Sequence, residues 1–530
     1  MRFNQTTRHQ TKVLNHEGAV ATQLHPKMEL YAAVVTSLLN DSFYEKGTIR
    51  LERLKELVAL NDPVFVAQLA VYAREKMYLR TTPLVLSVEL AKAHNGDDLV
   101  RKLVSRVVQR ADEIKELLAH YAIANQRNGV KKLNRLSKQV QKGLAASFNR
   151  FDGHQFAKYN RKTDVTLKDA LFLVHPKAKS DQQQLLFDKI IRDELETPYT
   201  WETELSRVGQ MDFETEKQKK VAVSATWEAL VLSRRLGYLA LLRNLRNILQ
   251  TEPSTSVLKE VCRQINDPKA IEKSKVFPFQ YLAAYRELDE PDQVVTEPRR
   301  SILGWVLGEV SARPKQQESV SIIREALEQA VLTSTENLAG FDVETRICVA
   351  CDVSGSMFQP VSRNSKVTLF DVGLMLGMLL KSRCKTVLTG IFGDTWKMVS
   401  LPNKDVLESV SYLKQREGEV GYATNGHRVL QDLYRQRRIL DKVMIFTDCQ
   451  MWNSVEHASD AFTRAWKQYK EVASDAKLYL FDLAGYGQLP LSQATEDVFL
   501  IAGWSEKIFE VLERLDNPEK TLSMIEEIEL

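Results

Sequence analysis

Three junctions in the C-terminal third carry oxygen side chains where an open α/β sheet would bring them together. The apolar run Ile347–Ala350 leads into Asp352-x-Ser354-x-Ser356. Thr424 stands in GYATNGHRVL just before a helical pattern, and Asp448 ends the apolar run KVMIFTD. Short apolar runs of this kind read as strands buried in a parallel sheet, and the carboxyl ends of such strands share one edge, where ligands bind. Two carboxylates and three hydroxyls, with no His or Cys, make a hard oxygen set suited to Mg²⁺, with waters completing an octahedron at ~2.1 Å. The competing reading is a polar cluster that only ties the loops together. Other chemistries find no support: there is no GxxxxGK[ST] loop, VSGSM is not a GxSxG elbow, and no local motif places a His for a triad.

A second set of residues points to polyanions. Between 126 and 179, thirteen Lys and Arg face three Asp, ten positive charges in excess within a chain of net charge +4, so the remainder carries −6. Charge concentrated in this way suggests a polyanion-binding surface. Lys131, Arg135, Lys138 and Lys142 recur at three- and four-residue spacing and predict one cationic face of a helix. That face lacks the interleaved acids of a self-compensating solvated helix. HQFAKYNRK adds Lys158, Tyr159, Arg161 and Lys162. Cations of this kind contact phosphates, and a Tyr can stack on an unpaired base. Phe148, Phe151 and Phe156 are mixed among these cations and enter the same reading. His175, between Val174 and Pro176, reads equally as a core histidine or as a surface contact.

The elements that must position these residues fall into two patterns. After an arm of mixed polarity at 1–27, helical periodicities follow one another from Met28 to about 340. Asp62-Pro63 reads as an N-cap followed by Pro at the first helical position, and Thr82-Pro83 as a repeat of it. DDLVRKLVSRVVQRADEIKELLAHYAIA is one long helix or a kinked pair. Such a span exceeds a single bundle, so stacked helix pairs of divergent repeat are expected. From 341 to 530, strand and helix patterns alternate, which predicts a doubly wound α/β sheet. The last segment, NPEKTLSMIEEIEL, is an acidic tail that can dock as a final helix.

With 530 residues, 27% charged and 44% hydrophobic, the chain is globular, and no apolar run approaches the ~20 residues of a membrane span. The polar start, MRFNQTTRHQTKVLNHEG, lacks an export signal, so a cytoplasmic location is expected. The five cysteines form no disulfide framework. Cys348-x-x-Cys351 has redox spacing but lies within a strand, where two small buried residues are expected.

The pattern Asp352-x-Ser354-x-Ser356, Thr424, Asp448 resembles the metal-ion-dependent adhesion site of von Willebrand factor A domains, in which the metal keeps one position open for a partner's acidic group. REKMYLRTTPLVLSVELA (Arg74–Ala91), KGLAASFNRF (Lys142–Phe151), KYNRK with LKDALFLVHPK, and YLALLRNLRNI (Tyr238–Ile248) resemble the TROVE module of Ro autoantigen proteins. That family joins such a module to an A domain in the order seen in this chain, and the resemblance is to its bacterial members. It implies a ring of HEAT-like helix pairs closed by the A domain. It implies Y RNA on an outer basic surface and single-stranded 3′ ends of misfolded or immature noncoding RNA in a central hole. It also implies an association with exoribonucleases in RNA maturation, decay and stress survival, without nuclease activity of its own. Lys158, Lys162 and His175 match the family's RNA-contacting cation pair and histidine. Two rivals stand beside this expectation: a protein-interaction scaffold gripping an acidic partner through the A-domain metal, and a metal-dependent hydrolase.

Overall fold

The computed structural model describes residues 12–15, 20–36, 47–125, 136–160, 163–288, 313–334, 344–361, 365–382, 384–401, 405–451, 460–486, 488–491, 497–502 and 520–530. The expected architecture is present: a mostly helical N-terminal region followed by an α/β sheet domain. By its contacts the chain forms two compact units. The first comprises 1–198, 338–402 and 412–530, and the second comprises 199–337 and 403–411.

In the first unit, two short strands, β1 (Lys12–Leu14) and β2 (Val20–Gln23), precede the helices. The helices are α1 (Pro26–Val35), α2 (Gly47–Leu60), α3 (Pro63–Glu75), α4 (Thr81–Ala93), α5 (Leu99–Val107), α6 (Ala111–Ala124), α7 (Lys138–Phe148), α8 (Gly153–Tyr159), α9 (Leu167–Val174) and α10 (Asp181–Arg192). Helix α3 begins as its sequence dictates, with the Asp62 carboxylate accepting the Phe65 N–H at 3.0 Å. Helix α4 does not: it starts at Thr81, and Pro83 lies inside the first turn, where a missing N–H leaves no intrahelical bond unmade. The long α5–α6 periodicity resolves into a pair broken at 108–110. Helix α7 starts at Lys138 with Ser137 as its N-cap, and Leu136 and Ser137 are not helical. The single cationic face expected through 131–142 is therefore interrupted, and residues 126–135 lie outside the described residues.

Helix α7 packs closely on α5. A Cβ added at Gly143 would lie 2.7 Å from the Val104 Cβ and 2.9 Å from the Arg101 carbonyl. Gly143→Ala should therefore destabilise the fold by about 1–3 kcal/mol through overpacking. Denaturant unfolding checks this, and an unchanged midpoint would mean that α5 and α7 can separate freely.

The second unit contains α11 (Trp201–Gly209), α12 (Glu216–Leu232), α13 (Tyr238–Gln250), α14 (Thr255–Ile265), α15 (Pro268–Ser274), α16 (Pro278–Glu287) and α17 (Arg313–Ser334). The sequence reading missed α11, a short helix opened by a Thr200 cap. The helix expected at 299–312 lies outside the described residues. Buried Glu328 of α17 accepts the N–H groups of Leu407 and Glu408 at 3.1 and 2.9 Å. Burial pushes its carboxyl up to about 7, with Asp405 and Glu408 adding to the rise and the two N–H bonds opposing it. The native pKa lies above the unfolded value of ~4.3, so the native state holds the proton more tightly. This contribution is full below the unfolded value and is lost as pH rises through about 7. The melting temperature of the wild type should fall relative to Glu328→Gln between about pH 5 and pH 8. Parallel profiles would show that Glu328 does not titrate in this range.

The α/β domain is a six-stranded sheet in the order β5-β4-β3-β6-β7-β9. Its strands are β3 (Arg346–Asp352), β4 (Thr386–Phe392), β5 (Trp396–Met398), β6 (Lys442–Thr447), β7 (Lys477–Asp482) and β9 (Val498–Ala502). All neighbours are parallel except the edge strand β5, which the sequence reading did not identify. The helices α18 (Leu369–Lys381), α19 (Val406–Lys414, also missed), α20 (His427–Arg435) and α21 (Ala461–Val472) belong to this segment. The helix expected at 505–515 lies outside the described residues. The chain passes from β3 to β4 on one side and later to β6 on the other, so the switch point of the sheet lies at β3. Strand β8 (Gln488–Leu489) pairs with β2, so the described part of the arm contributes to a small antiparallel sheet. The acidic tail docks as α22 (Lys520–Glu526), with Ile525 buried and Gln68 of α3 donating to the carbonyls of Glu526 and Ile528 at 2.6 and 3.1 Å.

Candidate functional site

The carboxyl edge of the sheet gathers most of the expected oxygen ligands. Asp352 ends β3, and Asp448 follows β6, its register neighbour. The Asp352 carboxylate accepts the Ser354 N–H at 2.8 Å and the Thr447 hydroxyl at 2.6 Å. The Ser354 and Ser356 hydroxyls lie 3.2 Å apart. Asp448 Oδ1 accepts the Gln450 N–H at 3.1 Å, and the Ser356 side chain also bonds this carboxylate. All four residues are buried. Thr424 is buried in the loop before α20. The neighbouring Asn425 bonds Gly393 and Asp394 at 3.1 and 3.0 Å, next to Phe392, the register partner of Asp352. This brings the Thr424 loop to the same corner of the sheet.

The electrostatics of this edge are unbalanced. Asp448 Oδ2 is buried without a hydrogen-bond partner. Burial and the nearby Asp352 charge push the Asp448 carboxyl up to about 7. A third carboxylate, Asp482, ends β7. Its Oδ1 accepts the N–H groups of Ala484 and Gly485 at 2.9 and 2.7 Å, its Oδ2 is a second buried oxygen without a partner, and burial pushes its carboxyl up to about 6. Sequence reasoning overlooked Asp482 and Thr447, although FDLAG repeats the strand-then-Asp signal of KVMIFTD. Among the described residues no cluster of three or more His, Cys, Asp or Glu is placed to hold a metal, so any ligand set depends on the hydroxyls. Carboxylate and hydroxyl oxygens with an unsatisfied buried charge fit a hard divalent cation.

Cys348 and Cys351 are free and buried in the sheet; burial pushes the Cys348 thiol up to about 12. Neither is a reactive thiol.

The cationic residues occupy the helical region. Lys138 and Lys142 are exposed on α7, one turn apart, and Lys158 is exposed at the end of α8. Tyr159 is half-buried, with the Arg110 guanidinium 4.6 Å from its ring centroid. His175 is exposed and caps α9 in the left-handed conformation at φ 48°, which removes the core-histidine reading. Gln141 of α7 donates to the carbonyls of Leu173 and Val174 at 3.3 and 3.2 Å, lacing the α7 face to the His175 end of α9. Lys131, Arg135, Arg161 and Lys162 lie outside the described residues. The interspersed aromatics do not join this surface. Phe148, Phe151 and Phe156 are core residues, with Phe156 centred 5.8 Å from Phe148 and 5.9 Å from Phe151. They face inward because each falls on the apolar side of its short helix or turn.

Fold and site together define a helical-repeat protein joined to a von Willebrand factor A-type domain. A family model of the TROVE domain matches residues 27–203 and 191–302, and one of the Ro60 vWA domain matches 346–515. The chain belongs to the TROVE-domain, Ro family of RNA-binding proteins. The crystal structure of the Deinococcus radiodurans RO (RSR) protein matches 93% of this chain and 100% of its own, with a TM-score of 0.57 at 16% identity, a likeness of fold. Telomerase protein component 1 of Rattus norvegicus is 34% identical over 98 residues, 18% of this chain, and that of Mus musculus 32% over 99 residues, 19% of this chain. The chain spans about 3% of the length of each of these two proteins. Among the described residues no helix is long and apolar enough to cross a membrane.

Removing a buried, poorly compensated carboxylate has a predictable signature. In chelator-treated protein, Asp448→Asn should melt at or above the wild-type temperature. Added MgCl₂ should raise the wild-type melting point and leave the variant unmoved. Equal Mg²⁺ shifts in both proteins would place cation binding elsewhere.

Proposed function

We propose that this protein binds structured noncoding RNA through the exposed cationic face of α7, α8 and the end of α9, and that it does so without catalysis. The observation that supports this reading is the sorting of one segment into two sides. Lys138, Lys142, Lys158 and His175 are exposed, while the phenylalanines between them are in the core. Lys and Arg at such a face neutralise phosphates and release counterions, so affinity is electrostatic and tolerant of sequence. Family membership favours Y RNA, together with the single-stranded 3′ ends of misfolded or immature RNA, as ligands, and an exoribonuclease as the partner that matures or degrades them.

The acid edge of the A domain supports a second, compatible role. Asp352, Ser354, Ser356, Thr424 and Asp448 would hold Mg²⁺, directly or through waters, and the cation would supply an open coordination position for an acidic group on a protein partner. Within this chain, Thr447 and the Ser354 N–H orient the Asp352 carboxylate, and the Ser356 hydroxyl orients Asp448. A hydrolytic role is the weaker reading, because the carboxylates Asp352 and Asp448 of this edge are buried and engaged with neighbouring hydroxyls and N–H groups.

Filter binding against salt tests the RNA reading. Affinity for a Y-like stem-loop should fall steeply between about 50 and 200 mM salt. Reversing both Lys138 and Lys142 to Glu should weaken binding roughly five-fold or more and lower the log–log slope by about 1–2. A flat salt profile would sink electrostatic RNA binding. Labelled RNA incubated with protein and Mg²⁺ should remain intact, and cleavage that Asp448→Asn abolishes would establish an enzyme instead.

A further inference from the structure

Beside the cationic face lies a recess of about 400 Å³, a volume in the range of small-ligand sites. Its walls come from Arg80 at the start of α4, from Arg110, Asp112 and Glu116 around α6, and from Tyr159 at the end of α8. The Arg110 guanidinium stacks on the Tyr159 ring and gives the recess a flat, cationic side. Lys115 fixes that side by donating to the Tyr159 carbonyl at 3.1 Å.

The remaining walls carry both signs. Arg80 bonds Asp112 at 2.7 Å and also bonds Glu116 Oε1, while Arg110 reaches Asp112 through Nε and Nη2 at 3.1 and 2.9 Å. These pairs brace the walls without filling the space between them. The lining still offers polar groups that these pairs do not use: the Arg80 and Arg110 Nη1 donors, Glu116 Oε2 as an acceptor, and the exposed Asp164 carboxylate.

We propose that this recess receives one unpaired guanine of the bound RNA, an inference that rests on the RNA-binding reading above. Guanine presents adjacent acceptors, O6 and N7, which suit a guanidinium, and adjacent donors, N1–H and N2–H₂, which suit a carboxylate. Adenine, cytosine and uracil lack that paired arrangement of two donors beside two acceptors. The Tyr159–Arg110 side offers the stacking surface that an extruded base requires. Glu116 is the residue that would read the donor edge, and burial already holds its carboxyl above the usual range, so that a pair of N–H donors is a favourable partner.

The test uses the full chain and five stem-loop RNAs. Four carry a single bulged G, A, U or C, and the fifth has no bulge. Non-specific phosphate contacts let the protein shift along each stem until a bulge meets the recess. Wild type should prefer the G bulge by about five-fold or more, the discrimination of one good bidentate contact. Glu116→Gln should erase that preference and leave affinity for the bulge-free stem within about two-fold, since phosphate contacts carry that affinity. The bulge-free measurement also reports that the variant is folded. Equal wild-type affinity for all four bulges would overturn the guanine assignment while RNA binding stood. A G preference surviving in Glu116→Gln would overturn it equally. Absence of wild-type binding to any of the five RNAs would overturn the RNA-binding reading and this assignment with it.

Discussion

A single buried ion pair organises the helices that present the cationic face. Arg74 of α3 meets both carboxylate oxygens of Glu113 at 2.8 and 3.1 Å, and its Nε donates to the Val107 carbonyl at 2.9 Å. Glu113 is fully buried and also accepts the N–H groups of Gln109 and Arg110 at 2.8 and 3.0 Å. A buried charge is tolerated only when its partners are complete, and here they are. The same carboxylate therefore decides where α5 ends, where α6 begins and how both meet α3. Arg110 and Arg80 flank this pair, so their positions at the recess follow from it. The chain then carries the geometry outward. Helix α7 rests on α5 at Gly143, Lys115 of α6 fixes the end of α8, and Gln141 ties α7 to α9. The surface cations are exposed side chains, but the helices that carry them are registered against a satisfied charge in the core.

The sheet edge presents the opposite situation. A parallel sheet sends all its carboxyl ends to one edge, and Asp352, Asp448 and Asp482 all lie there, buried. Backbone N–H groups and hydroxyls satisfy some of their oxygens but supply no full positive charge. For Asp482, the guanidiniums of Arg50 and Arg53 on α2 favour the ionised form against burial. For Asp448 the causes that lower the pKa are hydrogen bonds alone, from Ser356 and the Gln450 N–H. Comparing these two acids locates the charge deficit at the Asp352–Asp448 pair. That is the physical reason for reading the pair, rather than the whole edge, as the place where a cation would sit.

How much of this was legible depended on the range of the interaction involved. Strands β3, β6 and β7 were readable because a buried parallel strand is a continuous apolar run, whatever its neighbours are. The ligand-bearing ends followed from topology. Asp482 carries the same signal but stands outside the Asp-x-Ser-x-Ser, Thr, Asp spacing that marks the site in the sequence. The basic segment was readable in charge but not in shape. Helical spacing treats Leu136 and Ser137 as two more residues of a helix, whereas Ser137 stops it and acts as its N-cap. Phe156 and Tyr159 lie three residues apart on one short helix, and only packing against Phe148 and Phe151 puts the first inside and leaves the second at the rim. Strands β1 and β2 were beyond reach, because Thr22 finds its partner, Leu489, only in the folded chain.

That long-range pairing bears on how the A domain should be understood. Family models divide the chain into a helical module and a C-terminal domain, yet 1–198 and most of the A domain form one compact unit. Several of the bonds joining them are directed at backbone. Arg50 and Arg53 donate to the carbonyls of Ala484 and Gly485, Asn15 donates to the Met451 carbonyl, and Thr22 to that of Leu491. Gly485 has φ +69° and lies so near Thr36 that a Cβ there would fall 2.1 Å from its hydroxyl, so the loop reaches α1 only as glycine. Bonds to carbonyls sense where a loop is rather than which side chains it bears. The loops so held are those that follow Asp448 and Asp482. The acid edge and the first helices are thus parts of one hydrogen-bonded structure, and the geometry of the edge is set partly by residues more than four hundred positions earlier in the chain.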